Sequence, residues 1–145
     1  MATPNIVPRE QGGGGLGTAS RGWGGAFVTN TTASSATEGG KLVLAADDGA
    51  VMANGHRLGV IEFKGAEDAS NNLAIGARIE ALAADTFSTT ANETSLKFYT
   101  TTGDANEKLA LTIDNTQTAS FAGPIVATKP AVSNLADNGS IPITA

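Results

Sequence analysis

The only histidine of the chain, His56, is the side chain best suited to acid–base or metal chemistry. It follows Asn54-Gly55 and comes a few residues after Asp47 and Asp48, whose carboxylates could help it to bind a metal ion or to activate a hydroxyl group. No nucleophile-elbow motif accompanies these residues, and the chain has no cysteine to complete a thiolate site. We therefore interpret His56 as a polar residue beside a turn and expect neither a metal nor another cofactor.

Acidic residues could instead supply the two carboxylates of a glycosidase, as in a polysaccharide depolymerase. The candidates in the middle of the chain are Glu62, Glu67, Asp68 and Glu80. Such an enzyme stacks sugars on aromatic side chains, whereas aromatic residues make up only 5% of this chain. We predict that the protein is not an enzyme.

The glycine run near the start formally matches a dinucleotide-binding motif at Gly12, Gly14 and Gly17. That motif binds pyrophosphate because a strand precedes it and a helix opens at its end. Here Gly22-Trp23-Gly24-Gly25 follows, and glycines this dense do not begin a helix. The pattern does not predict nucleotide binding.

Charge and hydropathy exclude further classes of function. The net charge is −5 and lysine and arginine do not cluster, so we expect no nucleic-acid binding by phosphate neutralisation. No apolar run reaches 18 residues, so we expect no membrane insertion. The first ten residues lack the basic and apolar regions of a secretory signal, which predicts synthesis and retention in the cytoplasm unless the protein leaves on a particle.

The elements that must position any site are predicted to be β-strands. Short apolar runs alternate with polar turns every 8–15 residues, which is typical of an all-β protein. Strands are expected at 26–28, 42–44, 50–52, 58–64, 75–82, 96–101, 109–113 and 118–121. Turns are expected at Asp48-Gly49, at Asn54-Gly55 with the positive φ angles of a tight hairpin, and at Asp114-Asn115.

The segment Ile75 to Leu82 admits two secondary structures. Its alanines and glutamate favour a helix, but strict alternation favours a strand with Ile75, Ala77, Ile79 and Ala81 on one face. Gly76 inside the segment makes the strand the better interpretation.

Three regions follow from composition. Residues 1–40 form an extended glycine-rich arm, residues 41–128 a β-rich module, and residues 129–145 a linker or the truncated entry to a further segment. Alanine supplies 25 of the hydrophobic residues, which leaves few large side chains for a core. We expect association, because symmetric neighbours can share a thin core.

The arm carries an aromatic pair that a plain linker would not have. Trp23, the only tryptophan, and Phe27 lie within a stretch where most residues are glycine, serine or threonine. This combination is typical of a segment that becomes ordered against a partner. The stretch Leu16-Gly17-Thr18-Ala19-Ser20-Arg21-Gly22-Trp23-Gly24-Gly25-Ala26-Phe27 resembles a signature near the start of tailed-bacteriophage fibre and appendage proteins.

A second resemblance covers roughly residues 55–123. The sequence reads LGVIEFKGAED, IGARIEA, LKFYTT, LALTID and FAG in succession. This order resembles a module that recurs in phage tail fibres, especially those of marine phages. The family consists of structural modules, so the resemblance brings no catalytic residue to this chain.

The resemblance implies a bacteriophage tail fibre subunit: an elongated, fibrous, intertwined homotrimer located in the virion. Its arm would attach to an adaptor, baseplate or capsid protein, and distal regions would contact a host surface glycan or receptor during adsorption. The residues expected to attach it are Pro8, Arg9, Leu16, Trp23 and Phe27. Two alternatives stay open, a capsid decoration or head-fibre protein and a fragment of a bacterial surface adhesin.

Overall fold

A computed structural model describes residues 16, 18 and 21–125 of the 145-residue chain. The chain divides into two units, Met1–Val43 and Leu44–Ala145. In the described part of the first unit there is no regular strand, only a single bridge between Thr18 and Arg21. The sheet lies entirely in the second unit.

The second unit contains one antiparallel sheet of five strands in sequence order. The strands are β1 (Arg57–Ala66), β2 (Leu73–Ala83), β3 (Thr94–Thr101), β4 (Glu107–Ile113) and β5 (Ala119–Phe121). No helix occurs in residues 21–125, and none that could span a membrane is found among the described residues. The all-β prediction is confirmed.

Short polar loops join consecutive strands, and aspartates organise two of them. In the β1–β2 loop the Asp68 carboxylate accepts hydrogen bonds from the amides of Ser70 and Asn72, at 2.8 and 3.3 Å. In the β4–β5 loop Asp114 accepts the amides of Thr116 and Thr118, at 2.9 and 3.0 Å. In both loops the backbone amides have no neighbouring strand to donate to. The aspartate carboxylate accepts their hydrogen bonds instead, which favours the turn.

The predicted glycine turns occur, but one has a different geometry. Gly49 and Gly55 have φ angles of 80° and 82°. The amide of His56 donates to the Ala53 carbonyl at 3.0 Å, and Asn54 keeps a negative φ. The turn is therefore of type II, with one left-handed residue, and not the tight hairpin that Asn54-Gly55 favours.

Five of the eight predicted strands are present, and three are not. Residues 26–28, 42–44 and 50–52 lie outside the strands. Their apolar runs are short, and none is paired along its length with a neighbouring strand. Strand propensity without such pairing does not build a strand.

Bulges change which residues share a face. Ala77 pairs with Phe63, whereas Ile75 pairs with the next residue, Lys64, because Gly76 is an extra residue in β2. Ile75 therefore lies on the opposite face from Ala77, and the prediction that the two share a face is wrong. Unbroken alternation in a sequence cannot reveal a bulge, since the extra residue is defined by the partner strand.

The sheet has almost no hydrophobic core of its own. Among the described residues Ala83 is the only buried apolar one; it lies at the end of β2, where its backbone pairs with Gly55 and His56. No further layer of secondary structure is present in residues 21–125 to cover either face. Ordinary domains bury a sheet face against a second layer.

Candidate interaction surfaces

One face of the sheet is apolar across all five strands, and we call it the apolar face. Strand pairing brings one large apolar residue from each strand into a continuous row across the sheet. This row, the apolar stripe, consists of Ile61, Ile79, Phe98, Leu111 and Phe121. The stripe is the largest feature that pairing creates from residues far apart in the sequence.

The row beside the stripe divides the apolar face into two halves. On β1 and β2 it contains the small residues Gly59 and Ala81, which we call the small half. On β3 and β4 it contains Leu96 and Ile113, the large half. The face therefore has low relief on one side and high relief on the other.

Large residues on this face stay open to solvent. Ile61 and Phe63 are 43% and 53% exposed, and Phe121 at the far edge is 53% exposed. Large contiguous apolar patches are rare on the surfaces of soluble monomers and mark interaction sites. The apolar face is thus a candidate interaction surface.

A groove crosses the small half. The residues around it include Leu44, Gly59, Ile61, Ile79, Ala81 and Leu96. Leu44 packs so closely over Gly59 that a Cβ atom there would lie 2.7 Å from the Leu44 Cβ. The φ angle of Gly59 is not in the left-handed region, so the backbone conformation does not require a glycine. Close packing against Leu44 does require one.

The opposite face, the polar face, carries a charged network centred on Glu80. Glu80 is only 4% exposed, and its carboxylate lies 2.9 Å from Arg57 and 3.6 Å from Arg78. Arg78 also pairs with Glu107 at 3.2 Å and stacks over the Tyr99 ring at 4.2 Å from the ring centre. These ion pairs join β1, β2 and β4 on one surface.

Titration of the polar face follows from this packing. Burial raises the pKa of Tyr99, and a hydrogen bond to Glu80 raises it further. The hydrogen bond from Lys64 lowers the pKa of Glu62 on the same face. Of the four carboxylates considered for a glycosidase, Glu62 and Glu80 are bound in ion pairs, with Glu80 between two arginines, and Asp68 accepts amides of its own loop.

The other chemical candidates lie at the edge of the second unit. Asp47, Asp48 and His56 line one surface depression, as their spacing suggested. Among the residues that the structure describes, no group of three histidine, cysteine or acidic residues is arranged to hold a metal. The Asp47 and Asp48 carboxylates accept the amides of Gly49 and Ala50, both at 3.0 Å, so they act as turn residues.

The arm forms a second exposed apolar patch, described within its own unit. Leu16, Trp23, Phe27 and Val28 line a shallow groove there. Trp23 is 68% exposed and Phe27 93% exposed. Three of the five predicted attachment residues thus lie together at one surface, while Pro8 and Arg9 lie outside the described residues.

Beyond the patch, the arm folds back on itself. The Asn30 side-chain amide donates to Glu38 at 2.7 Å, and Gly40 lies against the Val28 carbonyl with no room for a Cβ atom. This loop follows directly on Phe27 in the chain. Local contacts therefore join the two ends of the segment from Val28 to Gly40.

No protein-family model matches the sequence, and no curated protein is significantly similar to it. The two apolar surfaces and the charged network are therefore the features from which a function can be argued.

Sequence reasoning did not find the apolar stripe. Its five members are spread over 61 positions of the chain and meet only through strand pairing. A usable signal was present, since each of the five predicted strands that occur holds a large apolar residue, near the middle in four of them and at the end of β5. The strand order and the bulges were needed to show that these residues share one face.

Proposed function

We propose that the protein is a structural subunit of a bacteriophage tail fibre that acts by self-association and docking. The observation that carries the proposal is the uncovered sheet: residues 21–125 add no layer of secondary structure over its apolar face, and Ala83 is the one buried apolar residue among those that the structure describes. Burial within one chain contributes too little free energy to keep a five-stranded sheet with such a core folded. The proposal therefore requires neighbouring chains to cover the sheet. The fibre assignment comes from the resemblance of the two sequence motifs.

The proposed assembly is a homotrimer located in the virion. A symmetric oligomer lets each copy cover the apolar face of another without a dedicated partner. Self-association alone does not distinguish a tail fibre from a capsid decoration protein, since both need a stiff, thin oligomer.

The arm would attach the oligomer to an adaptor, baseplate or capsid protein. Its support is the exposed patch around Trp23 and Phe27, aromatic residues of the kind that anchor interfaces. A host surface glycan or receptor would be contacted by regions distal to the sheet. No catalytic step enters this function.

Light scattering tests the association. At micromolar concentration, the molar mass measured by light scattering should be three times the 14.5 kDa mass of one chain. A folded, monodisperse monomer would contradict the proposal.

A second experiment tests attachment. Trp23→Ala should weaken incorporation into phage particles while the thermal unfolding of the sheet stays unchanged, since truncating an interface anchor costs about 2 kcal/mol or more. Gold labelling of a tagged chain on intact particles would then separate a tail from a capsid position. Wild-type incorporation of the variant would exclude Trp23 as the anchor.

A further inference from the structure

The two halves of the apolar face have complementary relief. Gly59 and Ala81 leave the small half low, and the groove beside Leu44 opens there. In the same row, Leu96 and Ile113 make the large half high. The large half of one copy can therefore fit into the small half of an identical copy.

We infer that neighbouring copies of this chain pack apolar face on apolar face, with the large half of one copy in the small half of the next. This inference rests on the proposed function and specifies the surface and orientation of the association. Ile113 of one copy would occupy the groove beside Leu44 of another.

Charge favours a copy of the chain as the occupant. The chain has a net charge of −5, so two copies repel one another over most surfaces. On the apolar face the strands place a single charged residue, Lys108, at a corner, where it pairs with Asp104 at 3.1 Å. The remaining strand charges point to the polar face, so the apolar faces meet without like-charge repulsion.

Area also fits a copy. At a strand spacing of roughly 4.8 Å and a rise of roughly 3.3 Å per residue, the four long strands present on the order of 500 Å² in projection. A standard interface buries about 800 Å² per partner, and side-chain relief increases the accessible area above the projection. The halves of neighbouring copies, which together have the area of one face, therefore suffice as a cover.

Orientation follows from the strand order. A rotation axis parallel to the strands, as in the proposed trimer, keeps each residue at its level along the strands and sets the large half of each copy against the small half of the next. Ala81, Leu96 and Ile113 lie at one level, since Ala81 pairs with Leu96 and Leu96 with Ile113. Ala81 of one copy would thus face Ile113 of the other.

Cysteine cross-linking tests this directly, because the chain has no cysteine of its own. In one chain β3 separates Ala81 from Ile113 by roughly 10 Å, beyond the reach of an internal disulfide. The double variant Ala81→Cys/Ile113→Cys should form covalent links between chains on mild oxidation. The control Val60→Cys/Thr112→Cys places two thiols on the polar face, three strand spacings apart instead of two.

The expected result is cross-linking of the apolar pair roughly a hundredfold faster than the control pair, since apposed thiols have millimolar effective concentrations. Equal rates for both pairs, in a chain that scatters light as an oligomer, would overturn the packing but leave the proposed function standing. Efficient cross-linking of Ala81→Cys alone would show small half against small half and overturn the orientation. A monomeric wild-type chain would instead remove the proposed function itself.

Discussion

The two faces of the sheet reverse the usual relation between polarity and burial. On the polar face Glu80 is 4% exposed, while on the apolar face Ile61 is 43% exposed. The charged residues of the polar face bury one another through ion pairs within one chain. Over the apolar face, residues 21–125 supply no further layer of secondary structure. In the proposed assembly the apolar face is therefore the inner side of the sheet and the polar face the outer side.

The largest expected effect breaks the apolar face. Leu111→Glu puts a carboxylate into the middle of the stripe, where association would remove it from water without a partner. We expect the oligomer to weaken by about 3 kcal/mol, or more than about a hundredfold in dissociation constant. Analytical ultracentrifugation over a concentration series measures it.

The control for this variant is the next residue on the same strand. Thr112 lies on the polar face opposite Lys97, so Thr112→Glu places the same charge beside a cation. The oligomer should persist. Dissociation by both variants alike would show that the two faces do not differ in function.

The next effect breaks the polar network. Glu80→Gln removes the charge that Arg57 and Arg78 share, and it leaves Arg78 with Glu107 as its remaining anionic partner. We expect a loss of about 2 kcal/mol in the free energy of unfolding, read from the denaturant midpoint. Glu62→Gln, which removes an exposed ion pair with Lys64, should change the midpoint little. An unchanged denaturant midpoint in Glu80→Gln would mean that the charged network does not stabilise the sheet.

A smaller effect concerns the contact between Leu44 and Gly59. Gly59→Ala should displace Leu44 and cost about 1–2 kcal/mol, as overpacking does. In a Leu44→Gly background the same change should cost clearly less, because the Leu44 Cβ atom that it would collide with is absent. Thermal unfolding of the four proteins in this double-mutant cycle measures the difference. If the stability losses of the two substitutions simply added, Leu44 would not lie against Gly59.

The smallest effect is a titration. Tyr99 is the only tyrosine, so its ionisation can be followed by ultraviolet absorbance without interference from another phenol. Its pKa is raised above the ordinary 10.0, mainly by burial. The folded protein holds the Tyr99 proton more tightly than the unfolded chain does. This contribution to stability is complete below the pKa of the unfolded chain, so the free energy of unfolding should fall as the pH rises through about 10. Glu80→Gln should shift the titration down, and a normal pKa in the wild type would contradict the packing of Tyr99.

Much of the sheet could be predicted from local sequence. Five strands were found close to their observed bounds, because their β-branched and aromatic residues alternate and polar turns separate them. Asp114 and Gly49 likewise determine their turns by local hydrogen bonding and backbone freedom. The same local signals over-predicted strands at 26–28, 42–44 and 50–52, since propensity does not report whether a pairing partner exists.

The candidate surfaces were predictable in part. The arm patch contains Leu16, Trp23 and Phe27, which stood out as bulky residues among glycines. The charged network did not stand out, because Arg57, Glu80 and Glu107 are far apart in the sequence and are brought together only by three strand pairings. Glu80 looked like one carboxylate among several.

The sequence by itself determined the all-β class, the main strands and turns, and the shortage of large apolar residues on which the proposed association rests. Only the tertiary structure decided where those few residues go. The bulge at Gly76 moves Ile75 to the polar face, and the strand order aligns Ile61, Ile79, Phe98, Leu111 and Phe121 into one stripe. The physical reason is that side-chain direction in a strand is fixed by its hydrogen-bonded neighbour. One extra residue in either strand reverses the face, and no local pattern records that extra residue.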